Sequence, residues 1–555
     1  MTVGTLIIGS GVAATALAQT LLEHDPQASI LILEAGVRVK TKDFGLWEHY
    51  LITGKLPYDP YRDLPYPQRD FSGENESAGG TDMPLMGARV FAYGGSTLHW
   101  GGWAFRLKPE DFHLKSNTGE GIDWPYDYDV LEPYYWRAEK HLAVSGDSSD
   151  TSPPRNPLHP YPFPHFPLTL QDKPMADAMD EIGMSYGHMP IARRGVSDIP
   201  SRHAPCQTTG TCKYCPFGAR YAACNYLDEL REWNDYPGLS VKLGAVVLEI
   251  LMDGKRRATG AVFWDRESGE THKVEADRVV VAAGAIESAK LLQRSTSSDW
   301  AMGIGNDHDL VGRHLITHPY FIFTSTLPAN PDGLQTEMNF PTLVSRHFDS
   351  QAEQKDGKFV LVAPPETGSQ SLAQQMQRGL SRGEIEKTLL GPTRIQIHGM
   401  LEVFGRPENF VKGVEDVNRI GLPMTHVEYT KDKCFDHRMA VIQERVAAIF
   451  GAMGAPPPNK QAPSWRADHA ASVCRMSSNE AAGVVNEDLR VHGTDNLYVV
   501  SNAVFPNLGA INPTLTLTAL ALKLGDHLNT LGSTHDRSQT RSKKGRPAVA
   551  TSVGP

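Results

Sequence analysis

Four of the six cysteines fall within nineteen positions, in Cys206-Gln-Thr-Thr-Gly-Thr-Cys212-Lys-Tyr-Cys215-Pro with Cys224 nine residues on. Thiolates gathered this tightly hold zinc or iron, and a proline directly after the last cysteine of a close set is a habit of iron–sulfur loops. The C-x5-C-x2-C spacing is neither a zinc-ribbon nor a ferredoxin pattern. The spacing alone therefore leaves a metal centre and a group of merely buried thiols both open.

A second chemical signature lies at the N-terminus. Thr5-Leu-Ile-Ile8 is an apolar run of the length of a buried parallel strand, and Gly9-Ser-Gly11-Val-Ala-Ala14 leads into a helical stretch from Thr15 to Glu23. This is the dinucleotide fingerprint in its G-x-G-x-x-A form. Gly9 permits the tight turn, Gly11 lets backbone approach a pyrophosphate, and Ala14 allows close helix–strand packing, while the helix N-terminus offers free N–H groups to phosphates. Ser29-Ile-Leu-Ile-Leu33 then ends in Glu34, twenty residues after Ala14, where an acid binds ribose hydroxyls.

The rest of the chain must position these groups. Its 555 residues exceed one core and predict two domains with interleaved segments. Residues 1–315 and 466–530 are assigned to a nucleotide-binding domain carrying the cysteine-rich loop 203–226, and residues 316–465 to a sheet-based substrate domain. Residues 531–555, rich in Ser, Thr, Lys, Arg, Gly and Pro, are assigned to a disordered tail. The stretch 44–136 is dense in Trp, Tyr, Gly and Pro, which argues for long ordered loops over a cleft instead of regular secondary structure. Ala245–Ile250 and Ala258–Trp264 flank Asp253-Gly254 as a β-meander, and Arg278 to Leu292 reads as strand, glycine turn and helix around Gly284. Phe321-Ile-Phe-Thr-Ser and Arg394-Ile-Gln-Ile-His are strand candidates of the second domain.

Composition narrows the function classes. Lys and Arg number 54 against 64 Asp and Glu, with no basic block in the folded part, which argues against a nucleic-acid partner. No apolar run approaches the roughly 20 residues of a spanning helix. The first strand begins almost at Met1, leaving no room for a leader, so the expectation is cytoplasmic residence unless a partner carries the chain across a membrane. Cys434 and Cys474, isolated in sequence, are expected to pack as small apolar groups.

Together these segments resemble the glucose-methanol-choline (GMC) flavoprotein oxidoreductases, from residue 3 to about residue 530. The resemblance rests on the fingerprint, on Ala-Ala-Gly284-Ala-Ile-Glu-Ser, on Leu401-Glu-Val-Phe-Gly-Arg-Pro-Glu-Asn409-Phe-Val, which looks like the family's substrate-domain strand pair, and on the closing run. That run comprises Asp468-His469-Ala-Ala-Ser-Val-Cys-Arg475, Leu489-Arg-Val-His-Gly493, Asn496-Leu-Tyr-Val-Val-Ser501 and Ala510-Ile-Asn512-Pro-Thr514. It implies an α/β fold, with a Rossmann-like FAD-binding domain of the p-hydroxybenzoate-hydroxylase type and a second, sheet-based substrate-binding domain.

The cofactor implied is FAD, held by Gly9, Gly11, Ala14, Glu34, Gly94, Gly95, His99, Val246, Asn502, Pro513 and Thr514. Gly94-Gly-Ser-Thr-Leu-His99-Trp resembles the pyranose-oxidase loop whose histidine is joined to the flavin; a covalent and a non-bonded His99 both stay open. By position His469 matches the family's base and Asn512 the second member of the His/Asn pair, donating to the developing alkoxide. Arg475, His314 and His318 are read as structural. The cysteine loop looks like the one that holds a [3Fe–4S] cluster in flavin sugar dehydrogenases, which carries over Cys206, Cys212 and Cys215 as ligands. Its second gap is one residue shorter than in those relatives, so Cys224 is kept as a fourth ligand of a [4Fe–4S] alternative.

The function implied is a dehydrogenase oxidising a secondary hydroxyl of a sugar or glycoside, favoured at C3 of a pyranoside, by hydride transfer to flavin N5, with electrons leaving through the cluster to an external acceptor. Glucose 1-dehydrogenase, fructose dehydrogenase and an oxygen-using pyranose oxidase are the alternatives. The related dehydrogenases pair with a small chaperone-like subunit bearing the export signal and with a cytochrome c subunit. Trp47, Tyr50, Tyr58, Trp100 and Trp103 are candidates to stack on a pyranose ring, or to pack.

Overall fold

The structure, a computed structural model, describes residues 2–53, 83, 85, 89–170, 172–196, 203–209, 214–232, 236–254, 256–329, 340–364, 375–418, 420–459 and 462–543. In chain order its strands are β1 (Thr2–Ile8), β2 (Ile30–Glu34), β3 (Ser145–Gly146), β4 (Phe163–Pro164), β5 (Gly187–His188), β6 (Leu239–Leu243), β7 (Ala245–Met252), β8 (Ala258–Asp265) and β9 (Thr271–Val281). They continue with β10 (Pro319–Leu327), β11 (Leu343–Ser345), β12 (Phe359–Ala363), β13 (Thr393–Leu401), β14 (Phe410–Val417), β15 (Pro423–Glu428), β16 (Ser464–Trp465) and β17 (Leu497–Val499).

The first sheet has the order β6-β2-β1-β9-β8-β7, with β17 also on β9. Strands β6, β2, β1, β9 and β17 pair in parallel, whereas β7 and β8 form an antiparallel extension on the first half of β9. The parallel part is covered on both faces, which is why β1 reads Leu6-Ile-Ile8 and the end of β9 reads Val279-Val-Val281 without alternation. The helix Val12–His24 follows β1 and packs against the long helix Thr514–Lys543. A Cβ on Gly525 of that helix would lie 2.6 Å from Thr20, so the two helices approach closely only because residue 525 is glycine. This is the Rossmann-like architecture that the resemblance implies.

The second sheet is antiparallel, in the order β16-β10-β13-β12-β11-β5. Phe321, Phe323, Leu361 and Ile397 from its strands meet Ile442, Val446 and Ile449 of the helix Phe435–Ala452 in a separate core. Its edge strand β5 comes from residues 187–188, upstream of the 316–465 segment, so the sheet draws on more of the chain than that segment.

Several expectations are corrected. The 44–136 stretch contains helices at Phe44–Thr53, Leu114–Thr118 and, reaching beyond it, Tyr128–His141. The last of these buries Tyr128, Leu131, Tyr135 and Ala138 on one stripe, a 3.6-residue period hidden by its aromatic content. The final helix extends to Lys543, through thirteen residues assigned to a tail, because no Gly or Pro interrupts it between Gly532 and Gly545; residues 544–555 lie outside the described ones. The segments at Leu401 and Phe410 are strands, yet β13 and β14 belong to different sheets and do not pair. Cys474 is fully buried in the core as expected, whereas Cys434 is exposed, capping the start of the helix Phe435–Ala452. Among the described residues no helix is long and apolar enough to cross a membrane.

Candidate active site

The carboxyl ends of β1, β2 and β9 open into a cavity of about 380 Å³, the place where a doubly wound sheet binds its ligand. Gly9 and Gly11 line it, and so do Arg466, His469 and Asn512. Gly9 has φ +102°, and a Cβ there would meet the Ala282 carbonyl at 2.5 Å, so the turn after β1 is wedged against the end of β9. A Cβ on Gly11, by contrast, would meet nothing within 4 Å; this glycine leaves room on the cavity side. Ala14 is fully buried and does not line the cavity.

Glu34 lines the cavity at the end of β2. Its Oε2 accepts from Ser10 N at 3.0 Å and Ser10 Oγ at 2.6 Å, and its Oε1 from Gly36 N at 2.8 Å. Burial raises its carboxyl above the ordinary range against the lowering effect of those bonds. Glu34 thus holds the fingerprint turn as well as bordering the space for a ribose.

The Gly94–His99 loop lies across the start of the helix Ala223–Glu232. Gly94 has φ +100°, and a Cβ on it would come within 2.9 Å of Cys224 N and 3.3 Å of Cys224 Sγ. The last part of the 203–226 segment straps this turn in place: Thr97 Oγ1 accepts from Ala223 N at 2.9 Å, and Arg220 donates to the Leu98 carbonyl at 2.6 Å and the Trp100 carbonyl at 2.7 Å. Gly95, His99, Trp100 and Trp103 line the cavity, as does Val246 from β7. Burial, with Arg220 and Arg466 nearby, pushes the His99 imidazole down to about 4, so it is neutral at physiological pH.

A short turn at Ala467–His469 presents His469 to Asn512, just before the last helix. Asn512 Nδ2 lies 3.3 Å from His469 Nε2, and His318 Nδ1 lies 2.9 Å from His469 Nδ1. His318 Nε2 is 2.9 Å from the Gly509 carbonyl, which can only accept. The proton on neutral His318 therefore sits on Nε2, its Nδ1 is a bare acceptor, and the facing Nδ1 of His469 must carry the hydrogen. The lone pair of His469 is thereby assigned to Nε2, beside Asn512. Burial, His318 and Arg466 together hold His469 well below its ordinary pKa, so it is a neutral base. Gly509 is itself braced: a Cβ there would lie 3.2 Å from Asp111 Oδ2, and Asp111 pairs with Lys358 at 2.7 Å, all buried.

The residues present fit a flat, hydrogen-bonding dinucleotide such as FAD. Asn502 Oδ1 and Asn512 Oδ1 are buried cavity-lining acceptors with no partner among the described residues, and Gly11 and Gly284 are cradle positions with nothing within 4 Å of a Cβ. Pro513 and Thr514 place the N-terminus of the last helix on the same cavity, where its dipole favours negative charge.

The cysteines are distributed differently. Cys206 and Cys215 are half-buried in a loop closed by Ala204 N to the Phe217 carbonyl (3.2 Å) and Cys206 N to the Arg194 carbonyl (2.9 Å); Cys212 lies outside the described residues. Cys224 is 3 % exposed on the helix beneath Gly94, and burial pushes its thiol up to about 11. Among the aromatic candidates, Trp100 and Trp103 reach the cavity, Trp47 packs on Phe44 and Phe217, Tyr50 is buried, and Tyr58 lies outside the described residues. His318, read as structural, contacts the candidate base; Arg220 and Arg466 carried no sequence signal.

Two family models, both described as GMC oxidoreductase, match residues 187–320 and 406–521. The fructose dehydrogenase large subunit of Gluconobacter japonicus is 28 % identical over 543 residues, 94 % of this chain and 96 % of the relative. The C-glycoside 3-oxidase of Microbacterium trichothecenolyticum is 28 % identical over 303 residues, 51 % of this chain and 52 % of the relative. Among solved structures, pyridoxine 4-oxidase from Mesorbium loti superposes with a TM-score of 0.63 over 95 % of this chain and 99 % of that one, at 16 % identity. With the fold, the glycine cradle and both conserved-domain matches in agreement, the chain belongs to the GMC oxidoreductase family of FAD-dependent enzymes that act on CH–OH donors.

Proposed function

We propose that the chain is an FAD-dependent sugar dehydrogenase that oxidises a secondary hydroxyl, at C3 of a pyranoside, with electrons leaving by way of an iron–sulfur cluster to an acceptor other than dioxygen. The observation that carries the redox chemistry is the line Gly509–His318–His469–Asn512, which puts the one imidazole lone pair on His469 Nε2, within 3.3 Å of Asn512 Nδ2, where both side chains line the cavity. FAD, when bound, supplies the hydride acceptor. His469 Nε2 takes the proton of the substrate hydroxyl, Asn512 Nδ2 donates to the same oxygen as charge develops on it, and His318 keeps the other proton of His469 in place. Trp100 and Trp103 offer apolar faces to a sugar ring.

The C3 position is supported by likeness to a C-glycoside 3-oxidase, and the dehydrogenase reading by full-length likeness to a fructose dehydrogenase subunit. Cys206, Cys212 and Cys215 are the favoured ligands, because Cys224 already fills the space beneath Gly94. An oxidase is the second reading, favoured by the oxidases among the relatives. The proposal extends to partners, a small subunit bearing an export signal and a cytochrome c, as the family resemblance implies; the name of the large-subunit relative supports companion subunits of some kind.

Purified enzyme is assayed with a dye acceptor and with dioxygen, on glucose and on methyl glucoside. Dye-linked conversion of methyl glucoside to its 3-keto product is the expected result. Lactone formation from glucose with methyl glucoside inert overturns the C3 position, and oxygen consumption matching the dye rate overturns the dehydrogenase reading.

A further inference from the structure

Outside the flavin cavity, two imidazoles and a carboxylate converge where three strands end. Strands β3 and β4 pair in parallel with Gly146 opposite Pro164, so the next residues, Asp147 and His165, leave the pair side by side. His188 arrives from β5, held by its pairing with Leu343 of β11. One ligand atom from each of Asp147, His165 and His188 lies within 4.8 Å of the other two, and all three side chains are half-buried. The imidazoles of His165 and His188 stack with centroids 3.7 Å apart at 27°.

The hydrogen bonds around the cluster leave donors of the right kind. His188 Nδ1 is 3.2 Å from the Phe166 carbonyl, so Nδ1 carries the hydrogen and Nε2 keeps the lone pair. This is the arrangement in which a backbone carbonyl orients a ligating histidine. Asp147 accepts from Ser149 N at 2.9 Å and Ser149 Oγ at 2.6 Å, both through Oδ1, leaving Oδ2 available. Burial and the neighbouring His165 hold His188 below its ordinary pKa, and the Ser149 bonds hold Asp147 below its own.

We propose that Asp147, His165 and His188 form a site for a divalent transition-metal ion of the zinc type, with solvent completing the coordination. Two nitrogens and one oxygen suit Zn²⁺, Co²⁺, Ni²⁺ or Cu²⁺ and are a poor set for Ca²⁺ or Mg²⁺, which take oxygen ligands. In a tetrahedral zinc site the donors stand about 3.4 Å apart, so the three side chains close in by about an ångström on binding. The ion would fasten the β3–β4 pair to the edge of the second sheet. That region also supports the cavity wall: Ser145 bridges to Ile191, Ile191 bridges to Trp103, and Ala192 N donates to the Gly102 carbonyl at 2.6 Å.

The test uses FAD-loaded full-length protein stripped with a chelator, alongside His188→Ala, His165→Ala and Asp147→Asn, titrated with Zn²⁺ alone. Any metal that the cysteine loop takes up is common to all of these proteins, so the readout is the difference between them. The proposal expects one additional equivalent of Zn²⁺ in the parent, an affinity for it weakened at least about a hundredfold in each variant, and a rise of about 3 °C in Tm confined to the parent. Cu²⁺ bound by the parent should show hyperfine structure from two nitrogens in electron paramagnetic resonance, reduced to one in either histidine variant. Equal Zn²⁺ uptake by the parent and by variants that retain FAD, or a Cu²⁺ signal unchanged by both histidine substitutions, overturns it.

Discussion

The Nδ1 atoms of His318 and His469 face each other at 2.9 Å, and only one of them can carry the proton between them. The Gly509 carbonyl, by taking the Nε2 hydrogen of His318, decides that it is His469. A residue 151 positions away thus chooses which nitrogen of the candidate base faces the substrate. His318 and the Gly509 carbonyl are buried, whereas His469 is half-buried where it lines the cavity, so the tautomer is fixed from the protein side and the other nitrogen is left to the substrate.

Replacing His469 by Ala should leave FAD bound and slow flavin reduction by substrate about a hundredfold or more, the scale of lost general-base catalysis. Stopped-flow absorbance of the flavin measures this directly, and an unchanged rate removes His469 from the chemistry. His318→Ala should cost about tenfold by freeing the wrong tautomer. His318→Gln, whose carbonyl can accept from His469 and whose amide can donate to Gly509, should recover most of that loss; equal defects in both variants would mean that His318 acts only as packing.

The pH dependence of flavin reduction follows from the same burial. A base held well below 6.5 is already neutral across the physiological range, so the rate should stay level between pH 8 and pH 6.5 and decline only further into acid. In His318→Ala one of the causes of that depression is gone, and the acid limb should move to higher pH. A limb near the ordinary imidazole value in the parent enzyme would contradict the assignment.

Folding stability should fall in acid through the buried histidines. His99, His141, His314, His318 and His398 are all pushed down to about 4, chiefly by burial. Between pH 6.5 and 4 the unfolded chain binds protons that the folded chain refuses, so stability rises with pH across that window and is lost as pH falls through it. Glu402 works in the opposite sense at the other end: burial and Asp111 raise its carboxyl to about 8, so its contribution is lost as pH rises toward that value. Thermal melts should give the highest Tm between about pH 6 and pH 7.5.

Gly94→Ala should destabilise the holoprotein by about 1–3 kcal/mol and lower its flavin content, since the new Cβ meets Cys224 backbone at 2.9 Å in a left-handed conformation. Denaturant melts and the ratio of flavin to protein absorbance report the two effects. Pairing it with Cys224→Ala relieves the contact to sulfur and not the backbone clash, so recovery should be partial.

Cys215→Ser should abolish the electron paramagnetic resonance signal of an iron–sulfur cluster and slow dye reduction more than flavin reduction by sugar. Cys224→Ser, in contrast, should keep the signal and lose stability, because that thiol is packed beneath the flavin loop. Iron absent from anaerobically prepared parent protein would refute the cluster. For His99, acid precipitation separates the two modes: yellow colour in the pellet marks a covalent flavin, and colour in the supernatant a dissociable one.

The sequence by itself determined the nucleotide half of this protein. The strand–Gly9–Gly11–helix pattern, Glu34 at the end of the next strand, and the His469/Asn512 pair are local or carry a family signature, and each keeps its place at the cavity because the backbone immediately around it dictates the position. Local reading failed where composition masked periodicity, as in the aromatic helix Tyr128–His141, and where a helix continued past its apolar stretch to Lys543. Only the tertiary structure decided that His318 sets the tautomer of His469, that Arg220 straps the His99 loop, that Cys224 fills the hollow under Gly94, and that Asp147, His165 and His188 meet. Each of those relationships joins segments brought together by strand pairing or burial at large sequence separation. Such contacts leave no periodic or spacing signal along the chain.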